Sequence, residues 1–293
     1  MDSIPRAAGA RTVSGDSGAE SLESRVGLLG SKPSPSPGGA ATIRDVEHVA
    51  LVGSQLPEKG TGVTGVLGEQ AAAALHTGRG KSLNLKEWAC EDSLAMVQTD
   101  EGGVLLAVAD AHWGGSSSVG YTEPLAQAWA GVSGPTIATR LYRALLKLEA
   151  AYSAIRAPED KSETTLVLAH LEGRNLHWIS AGDSLLLRLP PGGGCELLNT
   201  LTPFFLGNVS LAETPAGIAW TQGKAKLSAG DLLLLASDGL EENVSGLDLA
   251  GVEALIRPEG SLAQRVEALV ERATDPGQGG GRDNLAVVLC AVS

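Results

Sequence analysis

The order of apolar and polar residues divides most of the chain into short strands that follow one another in pairs. Short apolar runs bounded by Gly, Asp, Asn or Ser are typical of strands. Two such runs are joined by the sequence Asp-Glu-Gly-Gly, which is typical of a hairpin turn. Single strands are predicted at 46–53, 93–99, 103–110, 229–239 and 283–292. Three further short strands are predicted within 163–189.

Two segments instead carry apolar residues at helical spacing. Between 136 and 155, apolar side chains including Ile137, Leu141 and Leu145 fall on one face of a helix. Ser261 is a suitable N-cap for a second helix that begins at Leu262. Because the strands come in consecutive hairpins and the helices are grouped between them, we predict an α+β fold with antiparallel sheets rather than a regular βαβ alternation.

The first part of the chain has a different composition from the rest. Residues 1–40 are rich in Gly, Ser, Pro and Ala, and their few charges cancel. Such a segment buries too little apolar surface to offset the entropy lost on ordering. We therefore predict a flexible tail over 1–40 and one folded domain over 41–293.

Charge and composition exclude several classes of protein. The net charge of −12 argues against nucleic acid as a partner, since binding to phosphates needs a basic face. No apolar stretch is long enough to span a membrane, and the first residues lack the apolar segment of a secretory signal. Three widely separated cysteines argue against a disulfide framework or a zinc ribbon. We expect a monomeric cytoplasmic protein with neither membrane nor nucleic acid as a partner.

Acidic residues recur where the predicted strands begin or end. Glu91 and Asp92 precede one strand, Asp110 ends the next, Asp238 ends a later one and Asp283 precedes the last. Each aspartate alone is also explained as a turn residue. If these ends converged, the carboxylates would repel one another unless cations lay between them. Oxygen ligands of this kind select Mg²⁺ or Mn²⁺, and a pair of such ions can promote hydrolysis of a phosphoester.

The order of these motifs resembles that of the metal-dependent protein phosphatases of type 2C, the PPM family. That family carries a Glu-Asp pair, a D-G-x-G-G turn, a G-S/T-T strand, a GDS turn, an SDG strand end and a final DN strand. From about residue 46 onward, the corresponding segments are CEDSLAMV, AVADAHWGG, ETTLVLA, ISAGDSLLLRL, LSAGDLLLLASDGL and GRDNLAVVL. The resemblance implies a four-layer α-β-β-α sandwich of two antiparallel sheets, with a metal centre in a cleft at one end.

The resemblance also implies a set of metal ligands for two Mn²⁺ or Mg²⁺ ions. In that reading Asp110 bridges the two ions and the backbone carbonyl of Ala111 binds one of them. Asp238 and Asp283 bind the second ion, and Glu91 binds a metal directly or through water. Further along the chain, Asp160 matches the position of a third and weaker metal site.

The remaining roles concern the reaction itself. The resemblance implies that Asp92 orients metal-bound waters and that His112 protonates the leaving oxygen, because an alkoxide leaves poorly. Asp183 in the GDS turn is interpreted as a structural brace. The implied activity is Mn- or Mg-dependent hydrolysis of phosphoserine and phosphothreonine in proteins by a metal-bound water.

The chain departs from the family pattern at two places. Ala111 stands where the family has glycine, and alanine, unlike glycine, demands a negative φ. Trp113 stands as an extra residue in the turn, where it could displace His112 or pack over the lip of the pocket. Glu87 occupies the position of the usual phosphate-binding arginine. The candidates that could bind phosphate in place of that arginine are Arg79, Lys81 and Lys86.

These departures leave two alternatives to an active phosphatase. The first is a catalytically degenerate phosphatase fold that serves as a regulatory or binding module. The second is a nucleotide-binding domain, suggested by a G-x-G-x-x-G match at 60–65. Since that match does not directly follow a strand, we interpret it as a glycine-rich loop.

Overall fold

The computed structural model describes residues 47–56, 58–80, 89–207, 210–211, 213–214, 217–243, 249–256 and 259–293. The predicted tail at 1–40 lies outside these ranges. The strands are β1 (His48–Val52), β2 (Gly62–Leu67), β3 (Ala71–His76), β4 (Ser93–Gln98), β5 (Val104–Ala109), β6 (Ala111–His112), β7 (Glu163–Thr164), β8 (Leu166–Glu172), β9 (Asn175–Ala181), β10 (Leu185–Leu189), β11 (Glu196–Leu197), β12 (Thr221–Lys226), β13 (Leu232–Ala236) and β14 (Leu285–Ala291). The α-helices are α1 (Ser116–Thr122), α2 (Leu125–Ala130), α3 (Ile137–Ile155), α4 (Gly239–Asn243), α5 (Leu249–Ile256) and α6 (Leu262–Thr274).

The strands form two six-stranded sheets in the described ranges. The first has the order β1-β4-β5-β8-β9-β12 and the second the order β11-β10-β13-β14-β3-β2. All neighbouring strands within both sheets run antiparallel. A short separate ribbon joins β6 to β7. The antiparallel α+β class predicted from the hydrophobic pattern is confirmed.

Alternation along the strands explains how the sheets stack. On β4, Leu94 and Met96 point into the core between the two sheets, whereas Ala95 and Val97 pack on the opposite face towards the helices. This is the period of two that a strand imposes on its side chains. The core between the sheets is aliphatic and includes Leu106, Val108, Leu233, Leu235, Ala286, Val288 and Cys290.

Helices cover the outer face of each sheet. Tyr121, Leu141 and Leu145 from α1 and α3 are buried on the first sheet, and Val266 and Leu269 from α6 are buried on the second. The result is the predicted four-layer α-β-β-α sandwich. The longest helix, α3, has 19 residues and one apolar face. Within the described ranges, no helix combines the length and the apolar character needed to cross a membrane.

Both predicted helices begin at capping residues, and that of the second is Ser261, as predicted. The Thr136 hydroxyl accepts a hydrogen bond from the Thr139 N–H at the start of α3. At the start of α6, the Ser261 hydroxyl accepts from the Gln264 N–H, and the Gln264 side chain accepts from the Ser261 N–H. This reciprocal pair is a capping box, which satisfies backbone donors that have no partner inside the helix.

One prediction about the glycine-rich segment is wrong. Residues 62–65 do not lie in a loop but in β2, the edge strand of the second sheet. β2 pairs with β3, whose first four residues are buried alanines. Gly62, Gly65 and the four alanines of β3 have low strand propensity, which weakens the strand signal of this segment. Pairing of β3 with β14 and packing under α6 decide the conformation instead.

Candidate metal centre

The strand pairing brings the ends that carry the predicted acids to one end of the sandwich. β4 and β5 pair so that Ser93 faces Ala109, which places Asp92 and Asp110 at the same end of the first sheet. β13 and β14 pair so that Ala236 faces Val287, which places Asp238 and Asp283 together at an end of the second sheet. Asp92 and Asp110 are almost completely buried, and Asp238 and Asp283 are partly buried.

Asp238 lies at the centre of a group of carboxylates. Burial, the negative charge of Asp110 with which it shares a hydrogen bond, and the charges of Asp283 and Asp183 raise the pKa of Asp238 to about 9. Asp110, Asp283 and Asp183 are therefore near enough to Asp238 for their charges to act on it, in a partly buried environment that screens charges less than the surface does. Asp183, interpreted from the sequence as a turn brace, therefore belongs to this group.

The donor chemistry of this group fits a hard divalent cation. Carboxylate oxygens are the ligands that Mg²⁺ and Mn²⁺ prefer, and a cation among them would remove the repulsion that raises the pKa of Asp238. Coordinating geometry is not preformed: among the described residues, no three Asp, Glu, His or Cys side chains are arranged so that they could hold a metal ion. The side chains are thus gathered at the right place, but binding would require them to reorient.

Glu91 and Asp92, which precede β4, form hydrogen bonds to the turn at Gly114 and to Ser237 at the end of β13. The Glu91 carboxylate accepts a hydrogen bond from the Gly114 N–H at 2.7 Å. The Asp92 carboxylate accepts from the Ser237 hydroxyl, also at 2.7 Å, and Ser237 directly precedes Asp238. Both acids therefore hold neighbouring backbone segments in position.

The segment around Asp283 is held by two asparagines that the sequence analysis missed. The Asn243 side chain exchanges hydrogen bonds with the backbone N–H and carbonyl of Asp283 at 2.7 and 3.0 Å. The Asn284 amide accepts from the Glu91 N–H and donates to the Ala89 carbonyl. Gly239 follows Asp238 because a Cβ there would overlap the Asn284 carbonyl oxygen. The SDG and DN motifs thus fit against each other through backbone contacts.

Asp110 and Ala111 are fixed by β7 and the residue that follows it. The Asp110 N–H donates to the Thr165 hydroxyl at 3.0 Å, and the Asp110 carbonyl accepts from the Thr165 N–H at 2.8 Å. Ala111 is buried and pairs with Thr164. Its φ lies outside the left-handed region, so alanine in place of glycine is accommodated without strain there.

Strain falls on Trp113 instead. Among the described residues, Trp113 is the single non-glycine with a left-handed backbone, at φ +64°, and Gly114 follows at φ +123°. For an L-residue this conformation costs about 1–2 kcal/mol, and glycine is the usual occupant. Trp113 is 69% exposed, so its ring is not packed into the protein, as one of the two alternatives for this residue had it. His112 remains in β6 opposite Glu163, with its ring 4.7 Å from that of Phe205.

Two accessory residues suggested by the sequence are engaged elsewhere. The Asp160 carboxylate accepts hydrogen bonds from the Ser116 hydroxyl at 2.6 Å and from the Ser162 N–H at 2.8 Å. Arg79 is exposed, and its side chain lies against Gly60 and lines a surface cavity beside α6. The other candidates for the phosphate position, Lys81, Lys86 and Glu87, lie outside the described residues.

Solved structures with the same architecture are bacterial serine/threonine phosphatases. A single-site variant of a bacterial serine phosphatase superposes with a TM-score of 0.63 at 19% identity, covering 76% of this chain and 98% of that one. The serine/threonine phosphatase of S. agalactiae gives 0.61 at 18% identity, covering 80% and 100%. The catalytic domain of the phosphatase PstP, solved with two manganese ions, gives 0.57 at 23% identity, covering 79% and 99%. At these identities the likeness establishes the fold. None of the curated proteins matches the chain.

The fold is that of the PPM-type phosphatases, and the motifs stand in the order of that family. The family model described as Stage II sporulation protein E (SpoIIE) matches residues 100–293. Because this match covers more than half of the chain, the chain belongs to the SpoIIE family. The matched region contains Asp110, Asp238 and Asp283, and it begins after Glu91 and Asp92.

Proposed function

We propose that this chain is a Mn²⁺- or Mg²⁺-dependent phosphatase that hydrolyses phosphoserine and phosphothreonine in proteins. The observation that carries the proposal is the group of carboxylates around Asp238. A phosphate monoester is itself anionic, so it would be repelled by Asp110, Asp183 and Asp283 unless divalent cations neutralised them. Metal dependence and phosphate chemistry are therefore supported by the same arrangement. The two manganese ions in the PstP structure, which has the same fold, agree with this.

In this proposal the ion ligands come from the strand ends described above. Asp110, Asp238, Asp283 and the Ala111 carbonyl would hold two ions, and Glu91 would reach one of them directly or through water. When bound, such ions neutralise charge on the phosphate and lower the pKa of a water that attacks phosphorus. Asp110 shares a hydrogen bond with Asp238, and it would be the ligand common to both ions.

The remaining chemistry belongs to Asp92 and His112. Asp92 is anchored by the Ser237 hydroxyl, which fixes the direction in which its carboxylate can accept hydrogen bonds from waters. His112 is half-buried and lies on the same turn as Asp110. Its contact with the Phe205 ring holds the imidazole at the edge of the site, where it can protonate the departing serine or threonine oxygen.

We expect the enzyme to act as a monomer in the cytoplasm. Three cysteines at distant positions, with Cys90 and Cys290 buried in the core between the sheets, suit a reducing compartment. The partner would be a phosphorylated protein rather than nucleic acid, because the net charge is −12.

The test is hydrolysis of a phosphoserine peptide by the full chain with Mn²⁺, with excess chelator, and as Asp238→Asn. We expect loss of turnover with chelator and a decrease of at least ~100-fold in kcat/KM for the variant, as is typical when metal binding is disturbed. Asp100→Asn is the matched control, since Asp100 is an exposed aspartate in the hairpin at the opposite end of β5. It should retain wild-type activity.

Two outcomes would contradict the proposal in different ways. Turnover that persists in chelator would exclude the metal mechanism. Binding of Mn²⁺ measured by calorimetry, without turnover of any phosphopeptide, would instead favour the degenerate regulatory module. That alternative draws on one observation, namely that the Glu91 carboxylate is already bonded to the Gly114 N–H.

A further inference from the structure

Trp113 combines two properties that are unfavourable for folding. Its backbone is left-handed, which disfavours any side chain with a Cβ, and its indole is largely exposed. The turn around it is fixed from both sides, because the Gly114 N–H donates to Glu91 and the Gly114 carbonyl accepts from the Ser162 hydroxyl. Folding gains little from the exposed ring, so its packing does not explain why tryptophan stands at this strained position.

Strain of this kind is typical of functional sites, where the conformation serves binding rather than stability. Trp113 is three residues from Asp110, and three peptide units span at most about 11 Å. In an extended peptide, consecutive Cα atoms are about 3.8 Å apart. The Trp113 backbone is therefore near enough to Asp110 for an indole at this position to be in the range of residues adjacent to a phosphorylated side chain bound at Asp110.

The rim beside Trp113 is aromatic. Its neighbour His112 contacts Phe205, and Phe205 precedes Leu206, which pairs with Thr164 of β7. Within the described ranges, the Trp113 ring makes no ring contact of its own. An exposed aromatic side chain is a typical anchor for an apolar or aromatic partner residue.

We propose that Trp113 is a specificity-determining residue that binds an aromatic side chain next to the phosphorylated residue of a protein substrate. The inference rests on the proposed phosphatase function and names its substrate class: phosphoserine or phosphothreonine with a neighbouring Phe or Tyr. The indole stacks on that side chain while the phosphate occupies the carboxylate end of the sandwich.

The test compares two phosphoserine peptides that differ only in the residues flanking the phosphoserine, Phe in one and Gly in the other. The quantity measured is the ratio of their kcat/KM values with Mn²⁺. We expect wild type to prefer the Phe peptide about tenfold, and Trp113→Gly to reduce this preference to about twofold or less. That change of about fivefold corresponds to about 1 kcal/mol of transition-state binding.

Two further variants separate recognition from folding. Trp113→Asn is a second test, because asparagine tolerates the left-handed region, and it should lose the same preference. Val66→Ser is the matched control, since Val66 is an exposed apolar residue on the edge strand β2 and should keep the wild-type ratio. Thermal melting should show Trp113→Gly at least as stable as wild type, because glycine relieves the backbone strain.

The outcomes distinguish the two proposals. A ratio that is equal in wild type, Trp113→Gly and Trp113→Asn, with both peptides hydrolysed, overturns the inference and leaves the phosphatase function standing. Melting of Trp113→Gly well below wild type also overturns it, since that result assigns the ring a structural role. Failure of wild type to hydrolyse either peptide with Mn²⁺ overturns the proposed function and the inference with it.

Discussion

The buried histidine His170 provides a sharp test of the packing on the first sheet. It lies on β8 with no exposed surface, stacked on Trp129 at 4.9 Å, and Arg140 covers the Trp129 ring at 4.1 Å. Burial lowers the pKa of His170 from 6.5 to about 4. Glu101 opposes this shift, whereas Arg140 and His177 add to it.

The sign of the effect on stability follows from where the proton binds. Between pH 6.5 and 4 the unfolded chain takes up a proton on this histidine that the folded chain does not. Its contribution to stability is therefore complete above pH 6.5 and decreases as the pH falls through this window. For pKa values of 6.5 and about 4, the loss between pH 7 and pH 4.5 is roughly 2.5 kcal/mol.

The change to make is His170→Phe, which keeps a ring for the stack with Trp129 and removes the titrating group. The free energy of unfolding is measured by urea denaturation of both proteins at pH 7 and pH 4.5. Wild type should lose roughly 2.5 kcal/mol more than the variant between these two pH values. Any constant packing effect of Phe cancels in this difference. His48→Gln provides the control, since His48 is exposed on β1.

Parallel losses in wild type and His170→Phe would contradict the reasoning. They would mean that His170 is protonated at similar pH in the folded and unfolded states, and that the ring is hydrated. A value near 6.5 from NMR titration of this histidine would lead to the same conclusion.

Two further variants test the metal centre and a helix cap. Folding of the wild type at neutral pH must keep the Asp238 carboxyl protonated, because its pKa is raised to about 9, and asparagine removes this cost. Asp238→Asn should therefore raise the melting temperature of chelator-treated protein and reduce the further increase that Mn²⁺ produces in wild type. Equal Mn²⁺-induced increases in both proteins would exclude Asp238 as a ligand. Ser261→Ala removes the hydroxyl that accepts from the Gln264 N–H at the start of α6, and should lower the free energy of urea unfolding by about 1 kcal/mol without changing kcat. An unchanged urea midpoint would show that this cap contributes nothing.

Much of the fold was predictable because the decisive signals are local. Apolar runs that stop abruptly at Asp110 and Asp238 mark strand ends, and Ser261 marks a helix start, since each depends on a few adjacent residues. The convergence of these acids depends on which strands pair, and no local pattern encodes that pairing. It followed only from the resemblance in motif order, and the sheet topology agrees with it.

The features that the sequence analysis missed depend on distant contacts or on backbone conformation. Asn243 holds Asp283 across 40 positions of the chain, so neither residue signals the other locally. β3 consists mostly of alanine and β2 is interrupted by two glycines, and both residue types have low strand propensity. Pairing with β14 holds β3 in the sheet, and β2 in turn pairs with β3. From the sequence, Trp113 is an inserted bulky residue, and none of its neighbours indicates that its backbone is left-handed, a conformation usually occupied by glycine.

The position of β14 has a consequence for biosynthesis. This strand is the last of its sheet in chain order, yet it lies in the middle, between β13 and β3. While the ribosome is still producing it, β3 and β13 each present an unpaired hydrogen-bonding edge, and the second sheet remains divided into two halves. Proteins whose central pairing forms late are exposed to aggregation during synthesis. Nascent chains released before residue 285 should therefore depend on chaperones.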